Sequence, residues 1–485
     1  MRPRTADACG VARRPPAPAS WARAVLVRSW LVALALSLCR CSFEPSYERP
    51  TAPIPARWAG AAVSGQASEP RTVQPSTVDW RKLFQDPHLT AVVHKALVNN
   101  RDLRVATASI LTARAEYALA RANVLPRVAL NADVYVRGNL AGNVAQQHAL
   151  QLGTTDFELD VFGRLRSLSH AALERYLASQ AGARAVRLSL IAGAASAWLT
   201  VSAQRSLLTI AEQTEQNARE SVNVTQSRFA GGVASELDVR QAETVLAQAR
   251  SDVATYTTTL AQARNALMLL AGSEIDPADL PDELTDDTGL LREIPAGIQS
   301  SVLLARPDVL EAEHNLRAAN ANIGAARAAF FPRISLTALG GLVSAALSAL
   351  VSTSAAGVGV TLAPSASLPI FTGGANEAQL AYAKAQRQLY LAHYERVIQR
   401  AFREVADALA RRSTIDAQLA AQRALLTAST ASYQLSDARY RAGADSYLNA
   451  LDAQRTLYSA RRTLVLTQLN RADNLVTLYR VLGGS

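Results

Sequence analysis

The side chains able to do chemistry are few and poorly grouped. Six histidines are scattered over 485 residues without the His/Glu spacing that a metal needs, and no serine or cysteine has an activating base at a productive spacing. No glycine-rich loop is built to cradle a phosphate. The sequence therefore predicts no enzyme, no cofactor and no metal site. Two features remain. One is a thiol: Cys9, Cys39 and Cys41 are the three cysteines, all in the first 41 residues. The other is an Arg-x-x-x-Gly spacing found at Arg228–Gly232 and again at Arg439–Gly443. A thiol just behind an export signal can take up a lipid, and a glycine past a helix end lets the chain reverse.

Each feature needs an element to place it. Trp30–Leu38 is an apolar run behind a basic stretch, too short to span a bilayer but suited to the core of a secretory signal. Cys39 or Cys41 then stands where a lipoprotein signal puts its acylated residue. Seven arginines precede Cys41 against one acid, Asp7, so more than half of the net charge of +10 lies in this leader. Beyond it the two signs are interspersed, and no basic run has interleaved aromatics; nucleic acid is not an expected partner. An apolar share of 49% with 19% charged residues argues against wholesale disorder. A mean hydropathy of +0.04 argues against a polytopic helical membrane protein.

The Arg-x-x-x-Gly segments sit inside proline-free stretches. Proline is absent between Pro126 and Pro277 and again after Pro369. Since proline costs ~3 kcal/mol inside a helix, these gaps can hold long helices. Apolar residues at three- and four-residue spacing (Leu188, Ile191, Ala195, Trp198) predict one from about 162 to 228, and a similar pattern predicts another from about 378 to 439. Shorter helices are expected at about 236–270 and 447–482. Rods of ~100 Å cannot be buried in a globular core, so they must pair as coiled coils or enclose something. The chain also repeats itself. At an offset of 206, Ala120-Arg-Ala122 and Pro126-Arg127 fall on Ala326-Arg-Ala328 and Pro332-Arg333; at 211, Arg228–Gly232 falls on Arg439–Gly443 and Leu237 on Leu448. A tandem duplication is expected.

Between its helices each repeat carries an alternating segment. Val128, Leu130, Ala132, Val134 and Val136 share one face, and Asn131, Asp133 and Tyr135 the other. A Gly/Asn/Gln-rich connection, 138–147, leads to a second candidate strand at 149–161; in the second repeat 334–342 and 358–370 flank a similar connection. Alternating strands of about ten residues suit a transmembrane β-barrel, but four strands cannot close one. Open edges are not tolerated in lipid, so spanning strands would force oligomerisation, and three copies would give twelve. Two hairpins of a water-soluble α+β protein would show the same alternation. The expected organisation is a signal peptide at 1–40, an extended linker at 41–85, repeat 1 at 86–272, an acidic inter-repeat linker at 273–295 and repeat 2 at 296–485. The hairpins fall at about 127–161 and 333–370, and the helix-pair tips near 228–238 and 439–449. The fold class is mostly α with a transmembrane β part: a tandem repeat with a long coiled-coil barrel and four strands per chain.

Taken together, these residues resemble the outer-membrane efflux protein family, the TolC-like channels, and within it the lipoprotein branch of tripartite RND-type drug pumps. The resemblance is carried by Cys41-Ser-Phe-Glu-Pro-Ser-Tyr-Glu-Arg-Pro50, Phe84-Gln-Asp-Pro-His-Leu89 and Asn99-Asn-Arg-Asp-Leu-Arg-Val-Ala106. It continues through Asp160-Val-Phe-Gly-Arg164, Phe331-Pro-Arg333, Arg439-Tyr-Arg-Ala-Gly443 and Leu451-Asp-Ala-Gln-Arg455, covering nearly everything after residue 40 in order. The resemblance implies a homotrimer with a twelve-stranded barrel in the outer membrane of a Gram-negative bacterium, lipid-anchored at Cys41. Its helices would form a tunnel across the periplasm for drugs or other small toxic molecules. The resemblance also implies a periplasmic adaptor that meets the turns at Arg228, Gly232, Arg439 and Gly443, and a proton-driven inner-membrane pump behind it. By the same resemblance Leu448 and Asp452 line the periplasmic constriction, while Tyr440 and Asp238 tie neighbouring helix pairs together. One usual acidic position is Asn449 here. Two other readings stand beside this one: the outer-membrane channel of a type I protein secretion system, which shares the fold, and an exported structural coiled coil, which explains the rods but not the hairpins.

Overall fold

A computed structural model describes residues 42–55, 58, 79–138, 144–284, 300–350 and 357–484. The leader and Cys41 lie outside the described residues, as does most of the linker between the repeats. The described chain forms two compact units that cut across the repeats. Among the described residues, one holds the strands and the helix ends beside them (within 42–46, 118–171, 320–385); the other holds the rest of the helices (within 47–117, 172–319, 386–484).

In the first unit β1 (Ala129–Gly138), β2 (Val144–Leu159), β3 (Arg333–Ser344) and β4 (Gly357–Ser367) form one antiparallel sheet in the order β1-β2-β3-β4. The connection expected at 138–147 is shorter than that: residues 144–147 continue β2 and pair with 135–138 of β1. The polar side chains of Gln146 and Gln147 do not break the strand, because ladder pairing is a backbone matter and neither residue lacks an N–H. Register puts Leu130, Leu152, Gly340 and Val360 in one row, and Ala132, Leu150, Leu342 and Val358 in the next. The opposite face carries Asn131, Gln151, Asp133, Ser335 and Ser365. Burial inverts the usual order. The apolar face is open, with Val358, Val360 and Leu362 at 81%, 79% and 70% exposure, while Gln151 and Ser335 of the polar face are buried.

In the second unit α1 (Trp80–Leu83) and α2 (Pro87–Asn99) lead into α3 (Arg101–Ala122). The long helices are α4 (Arg164–Ala230) and α5 (Glu236–Ala271) in repeat 1, then, after α6 (Pro307–Ala328), α7 (Ala375–Arg441) and α8 (Tyr447–Val481) in repeat 2. Sequence signals start and stop them. Asp86 caps α2 by accepting from the His88 and Leu89 amides, with Pro87 at the first helical position. At α4 the Asp160 carboxylate accepts from the Leu165 and Arg166 amides. The 67 residues of α4 and of α7 each make a rod of ~100 Å.

The main core gathers Trp80, Leu83, Phe84 and Leu89 against Ile191 and Leu199 of α4, Leu267 of α5 and Tyr479 of α8. A second sets Trp58 and Val309 against Tyr394, Ile398 and Val405 of α7. Part of the expected linker is thereby tied down: Trp58 stacks on Phe402 and donates to its carbonyl. Arg49 grips the buried Glu313 through two hydrogen bonds, 2.6 and 3.0 Å, and Arg317 adds a third at 2.6 Å. Burial raises the Glu313 carboxyl, but Arg49 and Arg317 outweigh it and hold it below the usual range. The repeats differ in one respect. No residue of α3 is buried, whereas its counterpart α6 buries Val309, Leu316 and Ile323.

Candidate gate at the helix tips

Both tips reverse in the same way, and the Arg-x-x-x-Gly spacing follows from it. Gly232 and Gly443 adopt φ of 75° and 77°. Around the first, the Gly232 amide donates to the Phe229 carbonyl at 2.9 Å and the Val233 amide to the Arg228 carbonyl at 2.8 Å. Around the second, Gly443 donates to Tyr440 and Ala444 to Arg439, each at 2.9 Å. This is the Schellman closure, in which glycine takes the left-handed position and the residue four before it offers its carbonyl. The arginine therefore stands one turn back from the glycine, where a cation also meets the negative helix end.

The side chains of the two arginines diverge. Arg228 reaches across to α7, donating to the Tyr440 and Arg441 carbonyls at 2.9 and 3.2 Å, with its guanidinium 4.8 Å from the Tyr440 ring centre. Arg439 stays on its own turn, 3.3 Å from Asp445, with 63% of its side chain exposed. Ser446 donates its amide and Asn449 its side chain to Asp445; with Arg439 they hold that carboxyl below the usual range.

Within the described chain Tyr440 and Asp238 each have another partner. The Tyr440 hydroxyl meets the buried Thr225 hydroxyl at 3.1 Å. Asp238 closes a capping box with Ser235, accepting from its amide at 2.9 Å and its hydroxyl at 2.8 Å. Local geometry wins here, because a carboxylate three residues into a helix reaches its own N-cap without ordering a second element. Farther along, a tyrosine–carboxylate pair does join α8 to α5: Tyr458 donates to Asp252 at 2.6 Å. Burial, then Asp252, pushes the Tyr458 hydroxyl well above the usual tyrosine range. Arg462 covers the rings of Tyr256 and Tyr458 at 5.6 and 5.3 Å. Spacing alone did not mark Asp252 or Tyr458, since their repeat counterparts are Thr463 and Ala247.

Leu448 and Asp452, one turn apart on α8, share a face and are exposed, while Tyr447, Ala450, Leu451 and Leu457 are buried on the other. Asp452 makes no ion pair or side-chain hydrogen bond in the described chain. Leu237, the repeat counterpart of Leu448 at the 211-residue offset, is exposed too. Such a face can offer a ring of leucines and, one turn on, a ring alternating Gln241 with Asp452. Among the described residues no group of three or more His, Cys, Asp or Glu could hold a metal.

Comparison with known proteins agrees with this architecture. The family model for outer membrane efflux protein matches residues 92–273 and 298–484. The probable efflux pump outer membrane protein TtgC of Pseudomonas putida is 43% identical over 463 residues, 94% of each chain. The cation efflux system protein CusC of Escherichia coli K12 is 40% identical over 455 residues, 93% of this chain and 98% of CusC. Among solved structures, the open state of the MtrE outer membrane channel of Neisseria gonorrhoeae superposes with a TM-score of 0.81 at 38% identity, covering 92% of this chain and 98% of MtrE. With the tandem repeat, the inverted sheet and the reversing helix tips, these matches establish that the chain belongs to the outer membrane efflux protein family.

Proposed function

We propose that this protein is the outer-membrane channel of a tripartite efflux pump, a passive homotrimeric conduit for small toxic molecules. The observation that carries the reading is the sheet: its apolar face is open, Gln151 and Ser335 on the central strands of its polar face are buried, and β1 and β4 are edges with no further partner strand among the described residues. Apolar-out and polar-in is the order of a strand between lipid and a watery lumen. Unpaired edges cannot stay in lipid, so three copies close twelve strands into one barrel. The uncovered helix α3 supports the same count, since its counterpart α6 is buried within the chain. The test is the mass and conductance of the detergent-extracted protein: a trimer that conducts in planar bilayers is expected, and a stable monomer with intact β-structure overturns the reading.

At the tip, Leu448 and Asp452 from three copies form the constriction, and a periplasmic adaptor opens it by meeting the turns at Gly232 and Gly443. Arg439 is exposed for such contact, while Arg228 is engaged inside the chain and acts on the shape of the turn. An RND-type inner-membrane pump drives transport, since nothing in the conduit supplies energy. Cys41 carries the lipid. Two residues on, Phe43 stacks on Phe331 at 4.4 Å, Phe331 stacks on Phe162 at 5.1 Å, and Asn320 donates to the Pro45 carbonyl. Phe331 and Phe162 stand where helix gives way to strand, so the segment after Cys41 is tied down at the level where an acyl chain would enter the bilayer.

A further inference from the structure

The two tips are built alike, yet their arginines do different things. Arg228 crosses to the neighbouring turn and caps the end of α7 beside Tyr440. The counterpart of Tyr440 is Phe229, and the two differ sharply in cover: Tyr440 is 6% exposed and Phe229 47%. Surroundings differ as well. A side-chain carbon on Gly443 would lie 3.6 Å from the Arg228 guanidinium, whereas open space surrounds Gly232. The first turn therefore presents the equivalent carbonyls, Phe229 and Ala230, with an exposed aromatic ring and open space where the second turn holds an arginine. Arg439 is the repeat equivalent of Arg228.

Resting on the trimer reading above, we propose that Arg439 clamps the next copy of this chain: its guanidinium caps that copy's α4 at the Phe229 and Ala230 carbonyls and lies over the Phe229 ring. Around a ring of six helix pairs, each chain thus supplies one internal clamp, Arg228, and one clamp between protomers, Arg439. The two are not equivalent, because of a single sequence difference. Asp445 stands beside Arg439, and the matching position in repeat 1 is Ala234. Arg228 has no competitor on its own turn and stays across the seam. Arg439 has one, so it moves between Asp445 and the neighbouring protomer. The seam between protomers is thus the one whose arginine clamp has an alternative partner and can let go.

The test uses the full-length trimer in planar bilayers. Arg439→Ala is expected to raise the fraction of time the tip conducts by roughly two- to fivefold, the shift that loss of one exposed cation–aromatic contact allows. Asp445→Ala is expected to lower it, because Arg439 loses its alternative partner; the double variant should behave as Arg439→Ala. In Phe229→Trp protein the introduced indole should emit further to the blue in the trimer and shift to the red when Arg439→Ala is added. Arg439→Lys keeps the charge and loses the planar fork, and serves if the alanine variant does not assemble; it too should raise conduction and move the indole emission. The clamp is overturned if Asp445→Ala opens the tip as Arg439→Ala does, or if neither Arg439 variant moves conduction and emission. A parent protein that does not trimerise sinks the functional reading; a trimer with indifferent Arg439 variants sinks the clamp alone.

Discussion

Arg228 and Asp452 mark the two kinds of residue that a gate needs. Arg228 spends its charge on another helix: two carbonyls and a ring receive it. Charge-assisted hydrogen bonds contribute roughly 1.5–3 kcal/mol, so Arg228→Ala is expected to destabilise the tip by about 2 kcal/mol. Faster hydrogen exchange at the Gly443 and Ala444 amides would register that loss; unchanged protection there would mean the cap is idle. Asp452 is the opposite case, exposed and unpaired in the chain. In the proposed constriction its three copies would repel on one axis, and a multivalent cation would relieve the repulsion by binding between them. Asp452→Ala should therefore raise cation conductance and abolish block by polyamines. Retention of block in that variant would place the constriction elsewhere.

At the scale of elements, the seam between α5 and α8 and the hold on the N-terminal segment carry the argument. Tyr458 and Asp252 bridge α5 and α8 from within. Tyr458→Phe keeps the ring stacked with Arg462 and removes the hydrogen bond, so it isolates that tie. The expected result is a tip that opens more readily with the trimer intact; a channel indistinguishable from the parent would exclude this pair from gating. The N-terminal segment is held differently, by Arg49 on buried Glu313. Because the Glu313 carboxyl is held below its ordinary value, its contribution is fully present above the unfolded pKa of about 4.3 and disappears as pH falls through the lower folded value. Melting curves should thus show the parent losing stability below about pH 4 more steeply than Glu313→Gln, which starts lower and stays flatter. Parallel curves for the two proteins would remove this ion pair from the acid response.

For the molecule as a whole, anchoring and assembly separate cleanly. The barrel supplies insertion through its apolar face, and the lipid proposed on Cys41 would add a tether of about 0.8 kcal/mol per buried methylene. Cys41→Ser is expected to lose the acyl mass by mass spectrometry yet remain in the outer-membrane fraction as a trimer. Release of the variant into the periplasm would show that the sheet does not insert unaided. If the tunnel is passive, as proposed, its cargo is set upstream, and the susceptibility profile of a deletion strain reports the pump rather than the conduit.

The elements were legible in the sequence for local reasons. Proline gaps marked the rods, alternation marked the strands, and equal Arg-to-Gly spacing marked both reversals, since helix closure fixes that distance within one chain segment. Residues 144–147 escaped because polar composition reads as a connection, while their place in β2 comes from pairing with β1. Partners across elements were harder still. Asp238 and Tyr440 were expected as a tie by resemblance, but which group each one touches within the chain depends on whether its own cap or a neighbouring helix offers the nearer partner. Nothing in spacing distinguishes Asp252 and Tyr458, 206 residues apart, from any other acid and tyrosine. Periodicities and turns are written into the residue order because backbone geometry over a few residues sets them, and the duplication shows as repeated spacing. That the apolar face of the sheet is the open one, and that Arg228 crosses while Arg439 stays, follows from packing, because both depend on what lies beside a residue in space rather than on what precedes it.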